Sequence, residues 1–407
     1  MKLYKFQEQA IEQVKNKKNV LFAYDMGLGK TYLGARRLID KNLKTSLVIC
    51  QKSKINDWIE VLKNEDLKVY DLTKKKNLDN FKFGVGVINY ELAWRRSQLL
   101  KLQDFTLLLD ESSLLQNEKC KKTKFILKLK YDNVILLSGT VCNGNYEKLW
   151  SQLKLLGWNI KKVEFYKRYC VMREMNLNGV RFKIVVGYKN TKDLKKQLKF
   201  YGGIFKTADE VLELPQQNFI NVLSEPPKIY KEFLKTKFVE YAGHEFVGDY
   251  ELTARLNGRL LCSVFNKQRL KQVRDLIDST NDRLIIFYNF DLEFNELKKL
   301  CKDRPLSFVN GKKTDLKNYT FKSDTITLVQ YQAGAMGLNL QLSNKIIFFS
   351  LPDGRAELLS QALKRVHRIG QERKVFYYLC WSENAVEQEI YNNLKIKDKR
   401  IKYLWTH

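Results

Sequence analysis

The sequence predicts an α/β protein of two doubly wound parallel-sheet lobes in tandem, with helical additions. Three observations carry this. Short apolar runs with β-branched content alternate with polar helical patterns through the first half. A second series of the same kind follows a stretch punctuated by Pro215 and Pro226-Pro227. Asp25-Met26-Gly27-Leu28-Gly29-Lys30-Thr31 stands at a strand-to-helix junction, where a helix N-terminus can face phosphate. A chain of 407 residues, 44% of them hydrophobic, can build two cores. The boundary falls near residue 210, giving domains of 1–210 and 211–407.

The elements follow in order. Residues 6–14 read as a helix, 20–23 as a buried strand, and 31–38 as the helix after the glycine-rich loop. Residues 46–50, 84–88, 106–109 and 134–137 are further strands. From 148 to about 206 the pattern is mostly helical, with one alternating stretch at 181–186. Residues 283–288, 325–329, 345–349 and 375–379 supply the second strand series. No low-complexity linker or solenoid repeat interrupts them.

Charge points to a partner. Lys and Arg number 73 against 45 Asp and Glu, a net charge of +28, too large to serve solubility alone. Nucleic acid is the leading polyanion and an anionic membrane surface the alternative. No run approaches the length of a membrane span, and the N-terminus lacks the apolar core of a signal peptide. An intracellular protein is expected. The seven Cys form no C-x-x-C pair and only three His are present, which argues against a zinc site and fits scattered reduced thiols.

Five segments carry chemistry. In the glycine-rich loop, backbone N–H groups around Gly27 and Gly29 can wrap phosphate oxygens. Lys30 can reach the β- and γ-phosphates, and the Thr31 hydroxyl can sit on Mg²⁺. The first glycine of the full phosphate-loop pattern is replaced by Tyr24. Asp110-Glu111 ends an apolar strand. There Asp110 can hold Mg²⁺ through water and Glu111 can polarise the water that attacks the γ-phosphate; an isolated Asp-Glu is more often a surface pair. Leu136-Leu137-Ser138-Gly139-Thr140 runs a strand into small hydroxyl residues that can bond to those carboxylates. Arg365 and Arg368, three apart, share a face if helical, and two guanidinium groups can stabilise γ-phosphate charge as arginine fingers. The competing reading is a basic helix on DNA phosphates. The glycines of Ala333-Gly334-Ala335-Met336-Gly337-Leu338-Asn339-Leu340 allow close backbone approach to a nucleotide, with Gly337 the candidate.

The joint order of these motifs resembles superfamily II helicases. Asp25-Met26-Gly27-Leu28-Gly29-Lys30-Thr31, Ile88-Asn89-Tyr90-Glu91, Gly337-Leu338-Asn339-Leu340 and Arg365-Val366-His367-Arg368-Ile369-Gly370-Gln371 resemble its Swi/Snf-type branch, as does Trp58 after 47–53. The resemblance implies two RecA-like lobes with ATP between them, and double-stranded DNA across both. It implies translocation, usually without strand separation. Gln7 resembles the residue that reads adenine through its amide. Lys52, Ser53, Asn89, Tyr90, Gly334 and Asn339 resemble DNA-contacting positions. Lys74-Lys75-Lys76 reads as a solvated loop that can add non-specific affinity.

There are departures. Ser113 stands where the family commonly has His. Tyr24-Asp25 replaces Asp-Glu, and Gln330-Tyr331 replaces the usual Ser or Thr. Leu351-Pro352-Asp353-Gly354-Arg355 replaces Trp-Asn-Pro. The hydrolytic residues are intact. The expectation is an ATP- and Mg²⁺-using, double-stranded-DNA translocase. A strand-separating DNA or RNA helicase and a non-hydrolysing basic scaffold are the alternatives, though no pin is identifiable. The compact form points to a bacterial, phage or mobile-element protein, monomeric in the cytoplasm of a bacterium or infected cell. No nuclease signature is visible, so cleavage would require a nuclease or a replication or repair partner.

Overall fold

Strand order turns back on itself in each half of the chain, and that reversal sets where the chemistry lies. The computed structural model describes residues 2–177, 179–334 and 338–405. Two compact units are present: Met1–Val211 together with Lys399–His407, and Leu212–Asp398.

Among the described residues the first unit holds nine strands: β1 (Val20–Tyr24), β2 (Thr45–Cys50), β3 (Val69–Asp71), β4 (Gly84–Asn89), β5 (Phe105–Asp110), β6 (Asn133–Ser138), β7 (Cys170–Leu177), β8 (Val180–Tyr188) and β9 (Gly203–Lys206). Seven of them form one sheet in the order β3-β4-β2-β5-β6-β1-β9, with every neighbouring pair parallel. Parallel neighbours need crossovers, and helices on the sheet faces leave its central strands covered on both sides. β1, β2 and β6 are accordingly buried along their whole length. Helices α1 (Lys5–Gln13), α2 (Lys30–Asp40) and α3 (Ile55–Lys63) belong to this unit. At Gly34 in α2 a Cβ would lie 2.7 Å from Leu137 Cδ1 and 3.2 Å from the Trp58 ring, so any larger residue must displace the Leu137 side chain or move α2 off β6.

The 148–206 region differs from its helical expectation. β7 and β8 form an antiparallel hairpin, and β9 joins the main sheet beside β1. The expected alternation at 181–186 lies within β8, but its partner β7 mixes Met, Arg, Glu and Asn and shows no period. The Lys74-Lys75-Lys76 loop also differs, since Lys75 opens a short helix, Lys75–Asp79.

The second unit holds β10 (Gln217–Ser224), β11 (Phe238–Tyr241), β12 (His244–Val247), β13 (Leu284–Tyr288), β14 (Leu306–Val309), β15 (Thr314–Asp315), β16 (Ile326–Gln330), β17 (Lys345–Phe348) and β18 (Val375–Ser382). Its sheet runs β10-β18-β17-β13-β16-β14-β15, parallel except for β14 with β15. Ile286, Leu328, Ile347 and Phe349 lie in its core. Arg269 in the helix Lys267–Asp278 is fully buried against Glu387, and its Nη1 donates to Glu387 Oε1 at 2.8 Å.

The C-terminal helix Val386–Trp405 ends in the first unit. Leu404 is buried in that unit's core, with Ile401 and Tyr403 packed against it, and Tyr146 Oη donates to Arg400 O at 2.8 Å. Burial of these apolar residues is the physical reason why the tail does not stay with 211–398. Among the described residues, no helix is long and apolar enough to cross a membrane.

Candidate nucleotide site and nucleic-acid segments

Three neighbouring strands of the first unit, β5, β6 and β1, end side by side, and each end carries a motif. The register sets Ala23 opposite Ser138 and Asp110 opposite Leu137. Carboxyl ends of parallel strands are where doubly wound folds hold ligands.

The loop after β1 is shaped by its glycines. Gly27 and Gly29 have φ of 84° and 67°, left-handed values that cost little without a Cβ. α2 then begins at Lys30. Lys30 Nζ donates to Tyr24 O at 2.8 Å and to Asp25 O at 3.0 Å, which folds the ammonium over the loop. Asp25 Oδ2 accepts from Ala208 N at 2.9 Å and so anchors the loop's start. Thr31, half-buried, lies in the first turn of α2.

Gln7, expected to read the base, lies against the glycine-rich loop. It is buried in α1; its Nε2 donates to Leu28 O at 3.0 Å and Gly29 O at 3.3 Å, and its Oε1 accepts from Tyr4 N at 2.9 Å. A Cβ on Gly29 would sit 2.6 Å from this Nε2. Gln7 therefore clasps the phosphate loop, and both donor hydrogens of its amide are engaged there.

The carboxylates lie next to each other, each half-buried. Asp110 Oδ2 accepts from Trp58 Nε1 at 2.9 Å. Glu111, at a left-handed φ of 55°, accepts at Oε1 from Ser113 Oγ at 2.7 Å and from Ser138 Oγ at 3.4 Å. Burial pushes both carboxyls above their ordinary range. The Trp58 hydrogen bond and the Lys30 charge pull Asp110 back, and the Lys30 charge and the Ser113 hydrogen bond pull Glu111 back. Gly139 completes the wall, since a Cβ there would be 3.3 Å from Lys30 Nζ.

The residues around this loop suit Mg²⁺ together with a bound phosphate. Among the described residues no group of three or more His, Cys, Asp or Glu could hold a metal by itself. Mg²⁺ binds through one or two carboxylates plus substrate phosphates more often than in all-protein cages. The hard oxygens of Thr31 and Asp110 fit that chemistry, and two adjacent half-buried carboxylates concentrate a charge that a divalent cation offsets.

The expected DNA-contacting residues separate by exposure. Lys52 and Ser53 are exposed in the 3₁₀ turn Lys52–Lys54. Asn89 and Tyr90 are buried, so neither side chain presents a surface to DNA. Tyr90 Oη instead donates to Asp110 O at 2.8 Å, and Asn89 Nδ2 donates to Glu91 Oε2 at 3.1 Å. An apolar strand feeding straight into a buried turn is the physical reason.

In the second unit, Gly334 ends the short helix Tyr331–Gly334 and Asn339 is exposed; Gly337 lies outside the described residues. The helix before the arginines, Ala356–Leu363, stops ahead of Arg365, so Arg365 and Arg368 occupy turns and do not share a helical face. Arg365 is buried, and its carbonyl accepts from Leu340 N at 3.1 Å. Arg368 Nη1 donates to Asn339 Oδ1. Two segments read separately in the sequence are thus tied together.

Sequence reasoning missed the placement of Trp58 and Tyr90 on Asp110, and of Ser113 on Glu111. Burial pattern marks the two aromatics as core, but no local signal says where their polar atoms point.

A strand-end cradle for phosphate, faced by paired half-buried carboxylates and followed by a second doubly wound lobe, is the build of a helicase-like ATPase with tandem RecA-like lobes. Family matches narrow this class. Residues 7–243 match the SNF2-related domain and residues 268–370 the helicase conserved C-terminal domain. The chain belongs to the SNF2-related family. It is 23% identical over 444 residues to the SWI/SNF-related matrix-associated actin-dependent regulator of chromatin subfamily A member 1 of Mus musculus, covering 95% of this chain and 41% of that protein. It is 23% identical over 428 residues to the uncharacterized ATP-dependent helicase YqhH of Bacillus subtilis (strain 168), covering 94% of this chain and 75% of that one. The chain spans about two fifths of the length of the mouse relative. The solved Sulfolobus solfataricus SWI2/SNF2 ATPase core in complex with dsDNA is similar over 99% of this chain and 93% of that chain, at 20% identity and a TM-score of 0.48.

Proposed function

We propose that this chain hydrolyses ATP with Mg²⁺, is stimulated by double-stranded DNA, and uses the cycle to translocate along the duplex. The observation that carries the reading is the gathering of Lys30, Asp110, Glu111 and Ser138 at three adjacent strand ends. Backbone N–H groups at Gly27 and Gly29 cradle phosphate, and Lys30 exchanges its loop carbonyls for phosphate oxygens. Thr31 and Asp110 hold Mg²⁺, and Glu111 orients the attacking water. Arg365 and Arg368 act as fingers on the same nucleotide, Arg368 after leaving Asn339. Duplex DNA is held by Lys52, Ser53, Asn339 and the backbone at Gly334, in a chain of net charge +28. In this reading 1–210 is the ATP-binding lobe and 211–407 the helicase C-terminal lobe, apart from the tail 399–407, which belongs to the first unit, in a cytoplasmic monomer that remodels DNA or protein–DNA complexes, with a nuclease or a replication or repair protein as partner.

The experiment is turnover of ATP with duplex DNA, single-stranded DNA, RNA or nothing added. Duplex should stimulate most. Equal rates in all four conditions would remove the reading, and stimulation by RNA alone would remove the duplex assignment. Strand separation is the second reading. It is favoured by the β7–β8 hairpin, where Val180, Phe182 and Ile184 stand exposed and would serve as a pin. A strand-displacement assay decides between them.

A further inference from the structure

Two segments that resemble DNA contacts in the first lobe converge on one residue. The turn Lys52–Lys54 runs directly into α3, and Trp58 in that helix is fully buried. Its indole Nε1 reaches Asp110 Oδ2 at 2.9 Å. On the other side, Asn89 ends β4 and Tyr90 opens the helix Tyr90–Ala93. Tyr90 is also fully buried, and its Oη reaches Asp110 O at 2.8 Å. β2 lies between β4 and β5 in the sheet, so the phenol spans the end of a whole strand to make this bond.

Both donors are on stiff side chains with two torsions each, wedged among core residues. A shift of either backbone segment therefore moves the donor with it, because close-packed interiors transmit displacement. A cation lies beside each connection. Lys52 is exposed in the first segment, and Lys122 Nζ lies 5.8 Å from the centre of the Tyr90 ring in the second. A phosphate backbone drawn to those lysines bears on the segments that carry Trp58 and Tyr90.

We propose that Trp58 and Tyr90 are positioning residues that couple duplex DNA, held at Lys52–Lys54 and near Lys122, to the placement of Asp110. The coupling rests on the DNA-stimulated ATPase reading and gives the stimulation a route inside one lobe. Tyr90, read as a DNA contact, acts through the carboxylate strand instead.

Trp58→Phe and Tyr90→Phe each keep an aromatic ring in the core and remove one donor. In each variant duplex-stimulated kcat should fall about tenfold, the worth of one hydrogen bond to a charged or carbonyl partner. Turnover without DNA should fall less than stimulated turnover, so that the stimulation factor itself drops, while affinity for duplex should stay near wild type. Hydrogen–deuterium exchange supplies a readout independent of hydrolysis. Adding duplex to the nucleotide-free wild-type chain should change exchange in the peptide that ends β5 and covers Glu111, and that change should be absent from both variants. A stimulation factor unchanged in both variants would overturn the proposal, as would lower melting temperatures with the factor preserved. If the variants do not fold, the wild-type exchange decides alone: no response at the end of β5 overturns it. A wild-type chain that binds duplex but never hydrolyses ATP would sink the ATPase reading, and the exchange comparison would still decide the coupling.

Discussion

In the proposed cycle Lys30 and Glu111 serve the same nucleotide by different physics, and their variants should fail differently. Lys30 neutralises bound charge in ground and transition states alike, so Lys30→Ala should weaken ATP binding and turnover together. Glu111 orients water and touches little of the bound nucleotide, so Glu111→Gln should bind ATP near normally and lose turnover by a factor of about a hundred or more. Equilibrium binding and single-turnover rates separate the two. The arginines extend the series. Arg365→Lys and Arg368→Lys keep the charge but lose the guanidinium fork, so kcat should drop by up to about a thousandfold while duplex affinity holds. Near-normal kcat with weakened duplex binding would make them DNA contacts. Much of the site was legible at this scale because the phosphate loop, Asp110-Glu111 and Ser138-Gly139-Thr140 are each contiguous in the chain. Tyr90, Gln7 and Trp58 were not. Their side chains are engaged by residues between 20 and 52 positions away in the chain, and no local pattern encodes such a bond.

At the scale of elements, legibility followed burial. The central strands β1, β2, β5, β6, β13, β16 and β17 are covered on both faces and read as continuous apolar runs. The hairpin β7–β8 is exposed and charged, so a helical reading fitted its composition as well. β10 escaped notice because Gln217, Asn218 and Asn221 dilute its apolar residues, although it pairs with β18 along its whole length. One element pairing is electrostatic. Arg269 in the helix Lys267–Asp278 meets Glu387 near the start of the C-terminal helix, both buried. Burial alone would lower the arginine's pKa, but the Glu387 charge and hydrogen bonds more than offset this and raise it. Ser382 N also donates to Glu387 Oε2 at 2.8 Å. Glu387→Ala leaves a buried guanidinium without its carboxylate and should cost about 3–5 kcal/mol of stability. Urea unfolding of the single variant, beside one with both residues replaced by Met, checks this. The double variant should recover most of the loss, since the charge left behind is what destabilises.

For the whole molecule, the balance of 73 basic against 45 acidic residues is the property that no single motif explains. Ion pairs occupy one acidic group for each basic one and so leave that excess untouched, and most join exposed groups of modest worth, such as Lys54 with Asp57 and Lys299 with Glu296. Many lysines remain to neutralise phosphate. A translocase must hold DNA without regard to sequence, because every step presents new base pairs. Backbone neutralisation does this, since phosphate contacts position the duplex and carry no sequence information. Each phosphate neutralised releases condensed counterions, so the logarithm of the binding constant should fall linearly with the logarithm of salt concentration, with a slope of about −0.9 per contact. Lys52→Ala should reduce the magnitude of that slope by roughly one and weaken every duplex alike. Fluorescence anisotropy on two duplexes of unrelated sequence, over a series of salt concentrations, measures both quantities. A slope near zero, or affinity for only one of the two sequences, would contradict translocation along the backbone. A normal wild-type slope that Lys52→Ala leaves unchanged would move the DNA path away from the turn after β2.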